Sequence, residues 1–164
     1  SYLFASDYHN DFKPFSVLQA QFSKAFSVSN SLTFKFQGDA GLPIGNDGIP
    51  FFNFVLGGYG FNSINNFKPF FGYDFLSVAA NSFIKASGTL DYVFLKKNHL
   101  NFSANFANLE QNLFMSKDWI SLPKYSGYAL GYGLETRIGP IEVKYSWSPE
   151  LTKGYTWFSV GFWF

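Results

Sequence analysis

The chain has 164 residues and a net charge of +1, with 23% aromatic and only 14% charged residues, whereas an average soluble domain has about 25% charged residues. This charge, without a run of Lys or Arg, excludes the basic surface that nucleic-acid binding needs. The absence of Cys excludes disulfides and thiolate metal ligands. One domain, residues 1–164, would struggle to bury 23 Phe, so we expect some aromatic surface to face something other than water.

Apolar and polar residues alternate along most of the chain, and this period of two predicts β-strands with one apolar face. No segment has convincing helical spacing or the ~18 consecutive apolar residues of a membrane-spanning helix. In chain order, the predicted strands cover residues 2–8, 18–26, 32–39, 84–94, 100–107, 128–138, 141–148 and 155–164. The alternation is poor only in the first of these eight. Short turns are predicted at 29–31, at 96–99 and at the Gly139-Pro140 step.

These strands are longer than the usual ~5 to 6 residues of soluble sheets and approach the ~9 to 11 that cross a bilayer at a tilt. A soluble sandwich or a lipocalin-like barrel is the alternative, with the apolar face turned inward. Seven strands of large apolar residues would overfill such a core. The sequence therefore favours an all-β fold, a transmembrane antiparallel β-barrel of about 8 strands per chain, in the outer membrane of a Gram-negative bacterium.

The connections predict the orientation, because outer-membrane barrels have short periplasmic turns and longer outer loops. If the chain ends in the periplasm, all three short turns lie there, and the outer connections are 148–154, 110–126 and a long outer loop at about 41–82. A loop of this length usually has a function. Its candidate residues are Gly57, Gly58, Phe71 and Tyr73. The alternative is that its flanks extend the strands or form a further hairpin.

Four charged residues flank the Gly139-Pro140 step on the polar face of the predicted strands. Glu135, Arg137, Glu142 and Lys144 are expected to form an ion cluster near the periplasmic mouth of the lumen. Structural pairing is favoured over substrate gating, because charges inside a barrel usually pair. The two histidines are predicted in a loop and a turn, out of reach of a serine on an inward strand position, so no catalytic triad is expected. We predict no enzyme activity, no cofactor and no metal site.

Several motifs resemble the C-terminal barrel region of the outer-membrane assembly-factor superfamily, the bacterial surface antigen family. The matching residues span about 31–164 and are Pro50, Phe51, Phe54, Leu56, Gly57 and Gly58, then Gly131, Gly133, Thr136 and Ile138-Gly139-Pro140-Ile141, and finally the C-terminal strand signal Phe158, Val160, Gly161, Phe162 and Phe164. The family includes barrel-assembly proteins, two-partner secretion transporters and barrels fused to patatin-type lipases. Its long sixth outer loop usually carries a Val/Ile-Arg-Gly-Phe/Tyr motif. Here the glycine pair is followed by Tyr59-Gly60-Phe61 without an Arg.

The resemblance implies a sixteen-stranded barrel, of which this chain supplies about eight strands. Either eight strands close on themselves, or the chain is half of a larger barrel completed by a second copy or by other strands. Small inward residues would underfill an eight-stranded lumen, which favours an oligomer or a fragment of a larger barrel.

The resemblance also implies a membrane-embedded transport, insertion or anchoring module. The alternatives are a small structural or adhesive barrel that binds partners through its outer loops, and the membrane anchor of a patatin-type lipase encoded upstream. The expected partners are the lipid bilayer, a second copy in a homodimer or homo-oligomer, and the outer-membrane assembly machinery that inserts the chain. Because the chain opens at Ser1 without a signal core, we expect a mature product of signal or N-terminal removal.

Overall fold

A computed structural model describes residues 2–6, 12–44, 53–59, 66–111, 113–137 and 139–161. Eight strands form the main sheet: β1 (Tyr2–Ser6), β2 (Phe12–Ser29), β3 (Leu32–Ile44), β7 (Ser82–Phe94), β8 (Asn98–Glu110), β9 (Tyr125–Thr136), β10 (Gly139–Trp147) and β11 (Gly154–Val160). Three short strands form a second sheet: β4 (Phe54–Leu56), β5 (Phe67–Lys68) and β6 (Val78–Ala80). One helical turn, α1 (Leu113–Ser116), and one 3-10 turn, Asp118–Ile120, lie between β8 and β9. Among these residues no helix is both long and apolar enough to cross a membrane.

Neighbouring strands of the main sheet pair antiparallel in the order β1-β2-β3-β7-β8-β9-β10-β11. The predicted all-β class with eight antiparallel strands is therefore confirmed, including the weak first strand over residues 2–6. The short connections, from β2 to β3, from β7 to β8 and from β9 to β10, begin and end at one end of the sheet. The long connections, from β3 to β7, from β8 to β9 and from β10 to β11, begin and end at the other.

The position of the last short turn was predicted wrongly by two residues. Gly139 pairs with Thr136, and Pro140 with Glu135, so both residues begin β10 instead of forming the turn. Gly139 has a φ of 110°, a conformation that glycine adopts without a steric penalty. Pro140 is tolerated in the ladder because it is near the start of its strand.

The two faces of the main sheet have the opposite of the usual burial. On the apolar face, Leu130 and Tyr132 of β9 are 48% and 44% exposed. On the polar face, Ser103 of β8 and Ser146 of β10 are both fully buried, as is Ala129 between them. Soluble domains bury their large apolar side chains and expose their serines. In this sheet the large apolar side chains are exposed and the serines are buried.

The hydrophobic core lies on the polar face, near the end with the long connections. It consists of Phe54, Leu56, Phe70, Tyr73, Phe83, Ala107 and Leu109. The ring centroids of Phe54 in β4 and Phe83 in β7 are 4.8 Å apart. A Cβ atom at Gly41 of β3 would lie 2.5 Å from the Phe54 ring, so this strand needs a glycine there. The connection between β3 and β7 thus folds back onto the polar face.

The predicted long loop at about 41–82 is shorter and more ordered in the described residues. β3 continues to Ile44, β7 begins at Ser82, and the second sheet lies between them. Within that sheet β4 pairs antiparallel with β6, Phe54 opposite Ala80, and parallel with β5.

Both edges of the main sheet lack a partner strand in the described part of the chain. β1 pairs only with the first residues of β2, from Phe12 to Ser16, so the outer edge of β2 from Val17 to Ser29 has no neighbour there. β11 pairs with β10 alone. No pairing joins β1 to β11 within the described ranges.

Candidate functional site

The candidate site is the place where the connection between β3 and β7 is held against the polar face of β8, β9 and β10. We call it the loop clamp, and it consists of Tyr59, Phe71, Asn101, Glu142 and Lys144. The first two residues come from the connection and the other three from the sheet. The clamp therefore joins segments far apart in sequence.

The register of three strands creates the space for the clamp. Asn101 of β8 and Lys144 of β10 both pair with Gly131 of β9. A Cβ atom at Gly131 would lie 2.5 Å from Asn101 Oδ1 and 2.8 Å from Lys144 Cε. Because Gly131 has no side chain, the two polar side chains can meet above it.

Glu142 is the acceptor at the centre of the clamp. Its Oε2 accepts a hydrogen bond of 2.8 Å from the Tyr59 hydroxyl, and its Oε1 accepts one of 2.8 Å from Asn101 Nδ2. Lys144 Nζ lies 3.1 Å from the same Oε1. The side chains of Lys144 and Glu142 are only 5% and 17% exposed, so each charge depends on its partner for solvation.

Two aromatic rings of the connection cover the ammonium group of Lys144. Nζ lies 4.3 Å from the centroid of the Tyr59 ring and 5.3 Å from that of Phe71, within the range of a cation–π interaction. It also donates a hydrogen bond of 3.2 Å to the Tyr59 hydroxyl. Burial, and then the charge of Glu142, raise the pKa of Tyr59. The hydroxyl consequently stays protonated and can donate to Glu142.

A second anchor fixes the backbone of Phe71. The side-chain amide of Asn105 in β8 accepts a hydrogen bond of 2.6 Å from the Phe71 amide and donates one of 3.5 Å to its carbonyl. Opposite Asn105 in the register stands Gly127 of β9. A Cβ atom at Gly127 would lie 1.8 Å from the Phe71 carbonyl oxygen. A glycine is thus required at this position for the connection to dock.

A third anchor lies at the hairpin between β10 and β11. The carboxylate of Glu150 accepts hydrogen bonds from the Tyr73 hydroxyl at 3.2 Å, from Ser126 Oγ at 2.7 Å and from Ser148. Burial alone would raise the pKa of Glu150, but the hydrogen bonds from Ser126 and Ser148 outweigh it, and the net pKa is lowered. Beside this anchor, Gly72 has a φ of 82°, and a Cβ atom there would meet the Trp147 carbonyl at 2.4 Å.

The four loop candidates of the sequence, Gly57, Gly58, Phe71 and Tyr73, lie close together in the docked connection. Gly58 has a φ of 74°, donates a backbone hydrogen bond to Tyr73 and accepts one from Phe70. A Cβ atom at Gly57, which has a φ of 136°, would lie 2.1 Å from the Asp74 carbonyl oxygen. The glycine pair therefore lets the two parts of the connection pack backbone to backbone.

The four charged residues flanking the hairpin do not form one cluster. Glu142 and Lys144 pair within the clamp. Glu135 instead lies 3.2 Å from His99, whose other ring nitrogen lies 2.9 Å from Asp91. Arg137 is exposed and has no ion-pair partner among the described residues. In the C-terminal strand, Phe158 and Val160 are exposed on the apolar face; Phe162 and Phe164 lie outside the described residues, as does His9.

Sequence reasoning missed Tyr59, Asn101 and Asn105. A signal for the two asparagines was present, since both alternate with apolar residues in β8 and stand opposite glycines of β9. Tyr59 had no such signal, because its partners are 83 and 85 residues away. Within the described ranges no group of three or more His, Cys, Asp or Glu residues is arranged to hold a metal ion.

A comparison with curated proteins found no match. A family model described as the OMP85 superfamily matches residues 1–164. This match confirms the resemblance that the hairpin, the glycine pair and the C-terminal strand indicated. It agrees with the all-β antiparallel sheet. The chain therefore belongs to the OMP85 superfamily, whose members are bacterial outer-membrane proteins.

Proposed function

We propose that the chain forms part of the wall of an outer-membrane β-barrel of the assembly or transport type, inserted by the outer-membrane assembly machinery and without enzyme activity of its own. The observation that carries this proposal is the burial pattern of the sheet. Large apolar residues of one face, such as Leu130 and Tyr132, are exposed, whereas Ser103 and Ser146 of the other face are buried. In a bilayer such a face meets acyl chains at no cost, and the polar face lines the lumen.

The docked connection gives this barrel a luminal plug with a specific attachment. In the superfamily's usual loop motif the connection supplies an Arg. Here the connection supplies Tyr59, and the cation comes from the sheet as Lys144. The cation is thus supplied by the sheet in this chain and by the connection in the usual motif. We propose that this clamp holds the plug in place and that opening the lumen requires its release.

Neighbouring cysteines on β9 test the membrane assignment, because the natural chain has no Cys. Leu130→Cys lies on the apolar face and Ala129→Cys on the polar face. In lipid vesicles, a probe on Leu130→Cys should be quenched by spin-labelled lipid and should resist a water-soluble maleimide. Ile120→Cys, in an outer connection and 74% exposed, is the control that should react quickly.

Rapid reaction of Leu130→Cys with the water-soluble reagent in vesicles would contradict the proposal. It would instead support a soluble sheet whose apolar face is merely exposed. Ala129→Cys should be reached neither by the spin-labelled lipid nor by the maleimide as long as the connection is docked on the polar face. Its reactivity therefore measures release of the connection and not contact with lipid.

We also propose that further strands complete the barrel. Unpaired backbone groups are costly in hydrocarbon, and only closed sheets span membranes. Both edges of the main sheet lack a neighbour in the described residues, and a second copy of this chain is the favoured source of eight more strands. Native mass measurement of the detergent-extracted protein should find two chains per barrel. A monomer whose eight strands close on themselves would contradict this arrangement.

A structural or adhesive barrel is the second candidate, favoured by one observation. The connection between β8 and β9 exposes Ile120 and Leu122 to 74% and 89%, as a surface that binds a partner would. Single-channel recordings separate the two candidates. A transport-type barrel should conduct little with the plug docked and more when Gly127→Val displaces it. A structural barrel should be silent in both forms.

A further inference from the structure

A groove of about 430 Å³ lies beside the hairpin between β10 and β11, at the end of the sheet with the long connections. It is open to the surroundings and is formed by β10, the start of β11 and the residues between them. Its lining residues are Tyr145, Trp147, Ser148, Leu151, Thr152, Lys153 and Gly154. None of these residues belongs to the loop clamp. Ser148 belongs to the third anchor, where it donates a hydrogen bond to Glu150.

The groove is the end of a row of aromatic rings on the apolar face. Ring centroids are 6.0 Å apart between Phe106 and Tyr128, 5.9 Å between Tyr128 and Trp147, and 6.0 Å between Trp147 and Tyr145. We call these four residues the aromatic row. It crosses β8, β9 and β10 and enters the groove at Trp147 and Tyr145. Rings at this level of a membrane protein lie at the boundary between acyl chains and headgroups.

A glycine fixes the wall of the groove. A Cβ atom at Gly154 would lie 2.1 Å from the Tyr145 hydroxyl oxygen, so the Tyr145 ring can lie against β11 only because residue 154 has no side chain. The ring is half exposed nonetheless. The groove therefore presents an aromatic surface at a set position.

The rim of the groove carries a cation that nothing neutralises in the described part of the chain. Lys153 is exposed and has no hydrogen bond or ion pair there. The nearest acid in sequence, Glu150, is engaged on the other side of the hairpin by Tyr73, Ser126 and Ser148. Leu151, which is 40% exposed, adds an apolar contact beside the ammonium group.

We propose that this groove binds one phosphorylated lipid of the adjacent leaflet. The phosphate is bound by Lys153, and an acyl chain lies against Leu151 and along the aromatic row. One exposed lysine binds free phosphate only weakly, whereas the rings and Leu151 supply apolar contact for a chain attached to that phosphate. The inference depends on the proposed position of the barrel in the membrane.

Fluorescence quenching by brominated lipids tests the site, because Trp147 lies in the groove. The signal is the difference between the natural chain and Trp147→Phe, reconstituted in vesicles that contain either brominated phosphatidylglycerol or brominated phosphatidylcholine with the same acyl chains. We expect the anionic lipid to compete about fivefold better for the site, the effect of roughly one cation near an anionic lipid. Lys153→Gln should remove this preference and Lys153→Arg should retain it. Lys97→Gln, in a turn at the opposite end of the sheet, is the matched control and should leave it unchanged.

Each other outcome overturns a different statement. Equal quenching by both lipids in the natural chain leaves the membrane position intact and overturns the specific site. No quenching by either lipid overturns the membrane position itself. If inorganic phosphate at millimolar concentration abolishes the preference, the site recognises free phosphate and the lipid assignment is wrong.

Discussion

The polar face of the main sheet has two halves with the same sequence pattern and opposite burial. On β2, the polar residues Gln19, Gln21 and Ser23 alternate with apolar ones and are all exposed. On β8 and β10, Asn105 and Ser146 alternate in the same way and are buried. The difference is the connection between β3 and β7, which covers β8 to β10. Burial of the polar face is thus decided by where the connection docks, and the alternation of the strands does not encode it.

The covered half is distinguished by glycines that face polar amides. Gly127 stands opposite Asn105 and Gly131 opposite Asn101, and both glycines leave space that the connection or the clamp fills. The small residues of the polar face, which were expected to underfill a barrel of eight strands, form the surface on which the connection docks. Changes at this surface should therefore disrupt the covered half alone.

The largest effect is expected from Gly127→Ala, because the new Cβ would lie 1.8 Å from the Phe71 carbonyl oxygen. Overpacking of this kind costs up to about 3 kcal/mol, so the connection should leave the sheet. Limited proteolysis by chymotrypsin should then cleave residues 53–77 at least tenfold faster. Gly133→Ala on the same strand is the control, since its Cβ would find ordinary contact at 3.5 Å. Equal cleavage of the two variants would show that the connection does not depend on close approach at Gly127.

Lys144→Met should destabilise the protein by about 3 kcal/mol, because it leaves Glu142, whose side chain is only 17% exposed, without its cation. The double variant Lys144→Met/Glu142→Gln should regain a large part of this loss, since no unpaired charge remains. Urea unfolding in detergent micelles measures both. Lys35→Met, on the exposed half of the polar face, should change stability by less than about 0.5 kcal/mol. A double variant no more stable than the single one would mean that the pair contributes little through its charges.

Asn105→Ala removes two hydrogen bonds to the backbone of Phe71 and should cost about 1 to 2 kcal/mol. The Phe71 amide should exchange its hydrogen markedly faster in this variant, which mass spectrometry of the corresponding peptide can measure. Gln21→Ala, at an exposed position of β2, should leave that exchange unchanged. If hydrogen exchange is unaltered in Asn105→Ala, the ring contacts of Phe71 alone hold it against the sheet.

The alternation of the sequence predicted the strands well, because the period of two is a local property of each segment. Residues 82–94 and 98–110 form the predicted hairpin within a few residues at each end. The docked connection was not predicted, because its contacts depend on pairs such as Tyr59 with Glu142, 83 residues apart. The charged residues near the last turn illustrate the same limit. Glu135 and Glu142 were placed together by their common face, but each has its own partner on β8, His99 and Asn101 respectively.

The smallest effect is expected at the third anchor, where Glu150 joins the hairpin between β10 and β11 to Tyr73. The folded protein lowers the pKa of Glu150 below its ordinary value of 4.5, so the carboxylate stabilises the anchor above that value and the stabilisation is lost as the pH falls through the lowered pKa. Hydrogen exchange at Ser126 and in residues 148–153 should therefore rise on acidification beyond its intrinsic dependence on pH. The Glu150 side chain is exposed, so the change should be local, with the clamp at Lys144 unaffected.

Glu150→Gln is the control for this titration, because its amide can still accept from Ser126 but has no proton to gain. Exchange in residues 148–153 of this variant should lack the additional rise at acid pH. If the natural chain and Glu150→Gln respond to acid alike, another carboxylate controls the hairpin. The contrast between the two halves of the polar face would then depend on the clamp and on Asn105. Both lie farther along the sheet from the hairpin between β10 and β11 and involve no group of that hairpin.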